Sequence, residues 1–297
     1  MNKSCIHLCI EEVGKCFNID TNLLAFQIFG IDYCNKLNSE AIYKKFRPGQ
    51  IVHFTEFCKN MYGLNFYQCN NFWDYKEKIE YGIKNQYKMM IGFDNFYLPW
   101  GNTFNKTHVI HYFNISGIDK DGRILCNDKY NKKYNEELSD ELFSKGYKIG
   151  YFISRGNIIS NNKMIESILK DFNIYNNNLA YKMLIKELLN VKSYDEIFES
   201  SDANACKMII FSKIIIQYEE MKIKLLETYK KSQIKLLIKS ILNVIDKWKS
   251  ILQLLIYMLY SCRIRMEIIE KITKLLAEIC YEQQFQYNFM CKVKDSI

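Results

Sequence analysis

The chain has 297 residues, 48% of them hydrophobic and 25% charged, with a formal net charge of +8. That length exceeds one average domain and that balance is globular, which excludes a disordered or fibrous chain and calls for one catalytic-sized domain plus a second unit. Eleven cysteines without regular spacing, and an opening Met-Asn-Lys-Ser-Cys-Ile-His without an apolar leader, favour a reducing, cytoplasmic setting over a disulfide framework.

In chain order, residues 5–17 read as a helix with Ser4 as N-cap and Cys9, Val13, Cys16 and Phe17 on its apolar side. Short helices fit 22–29, 38–45 and 74–84. Strands then dominate, at 88–94, 109–116, 124–128 and 148–153. Helices followed by an antiparallel sheet indicate an α+β domain. The composition changes near residue 155: before it lie nearly all the glycines, both prolines and all four histidines. Beyond it, apolar residues recur every three or four positions, as in Ile234, Leu237, Ile238, Ile241, Leu242 and Ile245. Helices are predicted over 161–173, 178–190, 203–230, 233–260 and 264–285. The expected division is therefore an α+β domain over 1–155 and an all-α helical domain over 156–297, with Arg155-Gly156-Asn157 at the boundary.

The apolar run Ile251–Tyr260 is too short to cross a bilayer and is flanked by Trp248, Lys249 and Arg263, so it reads as a buried helix and no membrane is expected. The excess positive charge sits after residue 150, on lysines spread along helices (Lys222, Lys224, Lys230, Lys231, Lys235, Lys239). That spread describes a solvated helix face; nucleic-acid binding is not expected, and an acidic protein partner stays open.

Cys5 falls in the first turn of the first helix, where unpaired N–H groups and the positive end of the helix dipole favour thiolate over thiol. It is a candidate nucleophile. Position alone leaves a second reading, in which Cys5 is a small core residue like Cys9 and Cys16. The segment 111–128 reads as a hairpin whose polar turn contains Asp119-Lys120-Asp121-Gly122. A reversal about Asp119-Lys120 sets His111 directly opposite Asp128; a register two residues away leaves them diagonal on one face, and a slip of one separates them. The carboxylate would then fix the imidazole tautomer and stabilise its protonated form.

The stretch from Cys5 to Ile19, His111-Tyr-Phe-Asn-Ile-Ser-Gly-Ile-Asp119 and the position of Asp128 resemble the catalytic helix, histidine strand and aspartate of the bacteriocin-leader-processing cysteine peptidases. Ile91-Gly-Phe-Asp-Asn-Phe-Tyr-Leu-Pro-Trp100 and Lys106-Thr-His-Val-Ile-His111 resemble the N-terminal domain of the butirosin biosynthesis protein H family. The likeness covers residues 1–155. It implies a papain-like cysteine protease fold used as an acyltransferase in secondary-metabolite biosynthesis. An acyl or peptidyl thioester on the phosphopantetheine arm of a carrier protein would pass through Cys5 to a small-molecule amine. By the same resemblance His111 is the general base and acid and Asp128 its orienter. Asp94 and Trp100 would shape the substrate pocket, with a purely structural role the alternative for Trp100. The glutamine that papain-like peptidases carry before the cysteine has no counterpart, and the candidate oxyanion donors in its place are Asn2, or the Cys5 backbone N–H together with another donor. The helical second half matches no motif.

Other chemistries find little footing. His108 and His111, three apart on a strand, would face opposite sides and not share a metal; Cys5, His7 and Cys9 lack a second ligand pair. No phosphate-cradling or dinucleotide motif appears, so neither a metal nor a nucleotide cofactor is expected. Two alternatives remain: a peptidase that cleaves a leader with the same three residues, and a non-catalytic binding protein on a relic of the fold.

Overall fold

The computed structural model describes residues 4–33, 41–50, 53–106, 108–157, 174–198, 207–227 and 232–293. It is a mixed α/β structure with antiparallel sheets and a helical C-terminal region. The chain divides into two compact units, one made of Met1–Thr21 and Cys58–Ile159, the other of Asn22–Phe57 and Ser160–Ile297. The linear split at 155/156 therefore needs correction: residues 22–57 cluster with the helices.

In the first unit, helix α1 (Cys5–Cys16) begins at Ser4, whose side chain accepts the His7 N–H at 3.3 Å. The second unit supplies the next elements: a 3-10 turn at Asn22–Phe26, β1 (Ile28–Tyr33), α2 (Ile42–Lys45) and β2 (Phe46–Gln50). Helix α3 (Phe54–Tyr62) crosses the division. Back in the first unit come β3 (Leu64–Cys69), α4 (Phe72–Lys84), β4 (Lys88–Asp94), β5 (Ile110–Ile118), β6 (Ile124–Asp128), β7 (Lys133–Leu138), α5 (Asp140–Gly146) and β8 (Tyr147–Arg155). These strands form one antiparallel sheet in the order β3-β8-β4-β5-β6-β7.

β4 sits inside this sheet and is buried on both faces, which explains its unbroken apolar run. Met89, Ile91 and Phe93 join Phe113, Ile115, Tyr75, Ile79 and Phe143 in a core built on the α4 side. On the other face α1 lies against β5, where the Asn114 side-chain amide donates to the Cys9 carbonyl at 3.3 Å and to Glu12 at 2.9 Å.

The hairpin of β5 and β6 forms, in the alternative register. Asn114 faces Asn127 and Ile118 faces Ile124, with a bulge between Ile115 and Gly117. The chain reverses later than Asp119-Lys120: Asp119 Oδ1 accepts the N–H groups of Asp121 and Arg123 at 2.9 and 2.8 Å, and Gly122 takes the left-handed φ of +78° that closes the turn. His111 and Asp128 are thus diagonal rather than opposite, and they keep a common face because the shift is even.

In the second unit, β1 and β2 pair antiparallel and pack with four helices: α6 (Ile174–Leu188), α7 (Lys207–Leu226), α8 (Ser232–Ser261) and α9 (Met266–Val293). Trp248, Val244 and Ile251 of α8 and Ile269, Ile272 and Leu276 of α9 line its core at helical spacing. Lys222 and Glu219 form a buried ion pair there at 2.8 Å, and the buried Lys45 pairs with the partly exposed Glu187 at 2.7 Å. The helix expected over 161–173 lies outside the described residues, as does the start of the one over 38–45. The helix expected over 22–29 is corrected to a 3-10 turn and a strand, because pairing with β2 buries Ile31 and Tyr33 on alternate positions while Asp32 is exposed. No helix among the described residues is long and apolar enough to cross a membrane, and all the described cysteines are free thiols.

Candidate active site

α1 carries Cys5 in its first turn, partly exposed, while β5 and β6 present His111 and Asp128, which are 6% and 0% exposed. Burial opposes ionisation of Cys5. The charge and hydrogen bond of His111, with the backbone N–H groups of Tyr112 and Ile6, outweigh it and hold the thiol below its ordinary value. Burial likewise opposes an imidazolium at His111. The charge on Cys5 and the hydrogen bond to Asp128 overcome that and lift His111 to about 10. The structure thus brings Cys5 together with two residues more than a hundred positions later, and it favours a thiolate–imidazolium pair.

His111 Nε2 lies 2.8 Å from Asp128 Oδ2, which leaves Nδ1 for the sulfur. The same Oδ2 accepts the Trp100 indole N–H at 3.0 Å and the Asn131 amide at 2.7 Å, while Oδ1 accepts the Asn131 backbone N–H at 3.2 Å. Trp100 Nε1, Asn131 Nδ2 and Asn131 N can only donate, so both oxygens of residue 128 must accept. That parity calls for an ionised carboxylate and assigns the proton at Nε2 to His111. Burial pushes Asp128 up, but bonds and charge from His111 and the two bonds from Asn131 leave it below its usual value.

Cys9, one turn along the helix, is 5% exposed. Burial, then the negative charges of Cys5, Asp128 and Glu12, push its thiol well above the ordinary value. The two thiols on one helix are therefore chemically opposite.

The remaining expected residues fall elsewhere. Asn2 lies outside the described residues. Asp94 is 4% exposed, and its carboxylate caps the 3-10 turn at Asn95–Tyr97 through Phe96 N (3.1 Å) and pairs with His108 (2.8 Å) and Lys148 (3.5 Å). These bonds hold the chain between β4 and β5. Trp100, on that segment, donates from its indole N–H to the Asp128 carboxylate, the structural alternative for this residue. Asn95 braces the same segment, accepting at its carbonyl from Leu98 N (3.2 Å) and donating from its amide to Thr103 (2.8 Å). A Cβ at Gly101 would land on the Asn95 side-chain oxygen. Gly101→Ala is accordingly expected to cost about 1–3 kcal/mol of stability, read as a lowered Tm in a thermal melt.

Two residues were not anticipated. Tyr130, 45% exposed, sets its ring edge-on to His111 with centroids 5.5 Å apart. Asn131 follows Asp128 by three, and an Asp-x-x-Asn at a strand end is a turn signal that sequence alone carries. An open cavity of about 210 Å³ lies along the later half of α1, lined by Glu12, Cys16, Lys88, Asn114 and Asn127 among others; none of Cys5, His111 and Asp128 lines it. Among the described residues no group of His, Cys, Asp or Glu could hold a metal ion. No family model matches the chain, and no curated protein matches it either.

Proposed function

We propose that the chain is a cysteine-dependent acyltransferase of papain-like fold, which takes an acyl or peptidyl thioester from a carrier protein and delivers it to a small-molecule amine. One observation carries the covalent part of this reading: Cys5, a partly exposed residue, has its thiol hydrogen-bonded to His111, which is itself 2.8 Å from Asp128. The thioester donor and the amine acceptor rest on the resemblance to the butirosin biosynthesis protein H family.

In the first half-reaction the Cys5 thiolate attacks the thioester carbonyl carbon. The tetrahedral intermediate collapses by breaking the carbon–sulfur bond to the carrier arm, and the departing thiolate takes the proton from His111 Nδ1, leaving an acyl-Cys5. In the second, the amine attacks the acyl carbon and His111 accepts its proton. Collapse expels the Cys5 thiolate and restores its pairing with the imidazolium. Asp128 stays ionised throughout and holds the ring. At the start of α1 the Cys5 backbone N–H has no partner within the helix, which suits it to the developing oxyanion.

The test is intact-mass analysis after adding an acyl-N-acetylcysteamine thioester, then an amine. An acyl adduct on Cys5 that converts to amide is expected. Hydrolysis of a peptide without amide formation would make the chain a peptidase, and no adduct even with iodoacetamide would make it a binding protein. Adduct formation should already be fast below the ordinary thiol range, because the thiolate persists there. It should fall above about 10, where His111 loses the proton owed to the leaving thiolate.

A further inference from the structure

We infer that Trp100 and Asn131 are positioning residues for the candidate site, clamping the Asp128 carboxylate so that it holds His111 against Cys5. The inference rests on the nucleophilic role of Cys5 but on neither the donor nor the acceptor proposed for it.

A carboxylate on a strand end can rotate about its terminal bond, which is a broad torsion with a low barrier. A single contact to an imidazole does not stop that rotation. Here three donors converge on Oδ2 from separate parts of the chain: His111 Nε2 from β5, Trp100 Nε1 from the segment after β4, and Asn131 Nδ2 from the turn after β6, at 2.8, 3.0 and 2.7 Å. The Asn131 backbone N–H holds Oδ1 at 3.2 Å, so this one residue grips both oxygens. The Asn131 amide also sits 3.5 Å from His111 Nε2, the separation expected of two donors aimed at one acceptor. A flipped amide would set its oxygen against the carboxylate, so chemistry fixes its orientation.

Both grips are themselves held. The Trp100 ring packs against Phe113, two residues along β5 from His111, with centroids 6.4 Å apart. The turn bearing Asn131 is tied to α1 through Lys129 and Glu11 at 3.6 Å. The clamp therefore connects all three triad residues through elements that are remote in sequence.

Two effects of removing a donor oppose each other. If competition dominated, a carboxylate relieved of Trp100 or Asn131 would bind His111 more tightly and the thiolate would form at lower pH. If orientation dominates, as inferred, the carboxylate swings away, the imidazolium loses support and the thiolate forms at higher pH. Among the described residues, the titratable groups that act on the Cys5–His111 pair are Asp128 and Tyr130 from the β6 end, Cys9 from α1 and Tyr112 from β5. Cys9, Tyr112 and Tyr130 are all held above their ordinary values by burial and by the charge on Cys5, the carboxylates adding to Cys9 and Tyr130.

The experiment measures Cys5 alkylation by iodoacetamide across pH 5 to 9.5, roughly spanning the range over which a perturbed thiol titrates, in full-length wild type, Trp100→Phe, Asn131→Ala and the double variant. Phenylalanine keeps the ring in its packing and removes only the donor, so this variant tests the idea even where Asn131→Ala fails to fold. The acid limb should move up by about half a unit or more in each variant, lowering the rate near pH 6 about threefold or more while leaving the rate above pH 9 within about twofold. Superimposed profiles would overturn the clamp. So would a shift to lower pH, or a uniform loss at every pH. A wild-type thiol with no reactivity below the ordinary range would instead sink the nucleophile assignment itself, and the two failures are thereby separable.

Discussion

Cys5→Ser is expected to lose acyl-adduct and amide formation by at least about 10³-fold while leaving the far-UV circular dichroism unchanged. The volume change from sulfur to oxygen is small, so the N-terminal turn of α1 should persist. The chemistry does not, because the surroundings of Cys5 supply only enough stabilisation to ionise a thiol. Burial already works against the anion there, and a hydroxyl begins far harder to ionise than a thiol. Cys9→Ser is the control. Its thiol is buried and pushed well above the ordinary range by Cys5, Asp128 and Glu12, so activity should stay within a few-fold of wild type. A Cys5→Ser protein that turns over normally, beside a dead Cys9→Ser, would transfer the nucleophile assignment to the second thiol.

Asp128→Asn is expected to lower the rate on the order of 10²–10⁴-fold. The reason is hydrogen-bond parity. An amide has one accepting and one donating end, whereas the site offers donors at both: Asn131 N at Oδ1, and Trp100 Nε1, Asn131 Nδ2 and His111 Nε2 at Oδ2. Whichever way the amide turns, its NH₂ meets an N–H. If it meets His111, the ring must flip its tautomer, and the nitrogen facing Cys5 then carries a proton and cannot act as a base. The loss should appear in kcat more than in KM, because substrate contacts are untouched. A variant with wild-type kcat and an unchanged pH profile would remove Asp128 from the mechanism.

Much of this arrangement is legible in the residues alone. Ser4 before an apolar-periodic run locates the start of α1 to the residue, and with it the exposed end of the helix at Cys5. The His111–Asp128 contact was anticipated through a hairpin argument whose turn was misplaced. The contact survived because the combined effect of the later reversal and the bulge near Ser116 is an even displacement, and strand faces alternate with a period of two. What was hidden is what depends on distant partners. Nothing near Trp100 announces a carboxylate 28 residues away. The assignment of 22–57 to the helical unit is equally non-local, and β3 and β7 are edge strands, each with one neighbour and mixed polarity, so neither shows a clean alternation. The long helices of the second unit were the easiest to read, because a sustained apolar period needs no knowledge of what it packs against.

The first unit is discontinuous, and this has a consequence during synthesis. Helix α1 leaves the ribosome long before β5 and β6, the strands that carry His111 and Asp128. Until then the sulfur at its tip is an ordinary thiol on a nascent peptide. The lowering of the Cys5 thiol depends on His111 and on the Tyr112 backbone, so it waits on the arrival of β5, and the order of the elements along the chain sets when that sulfur ionises more readily.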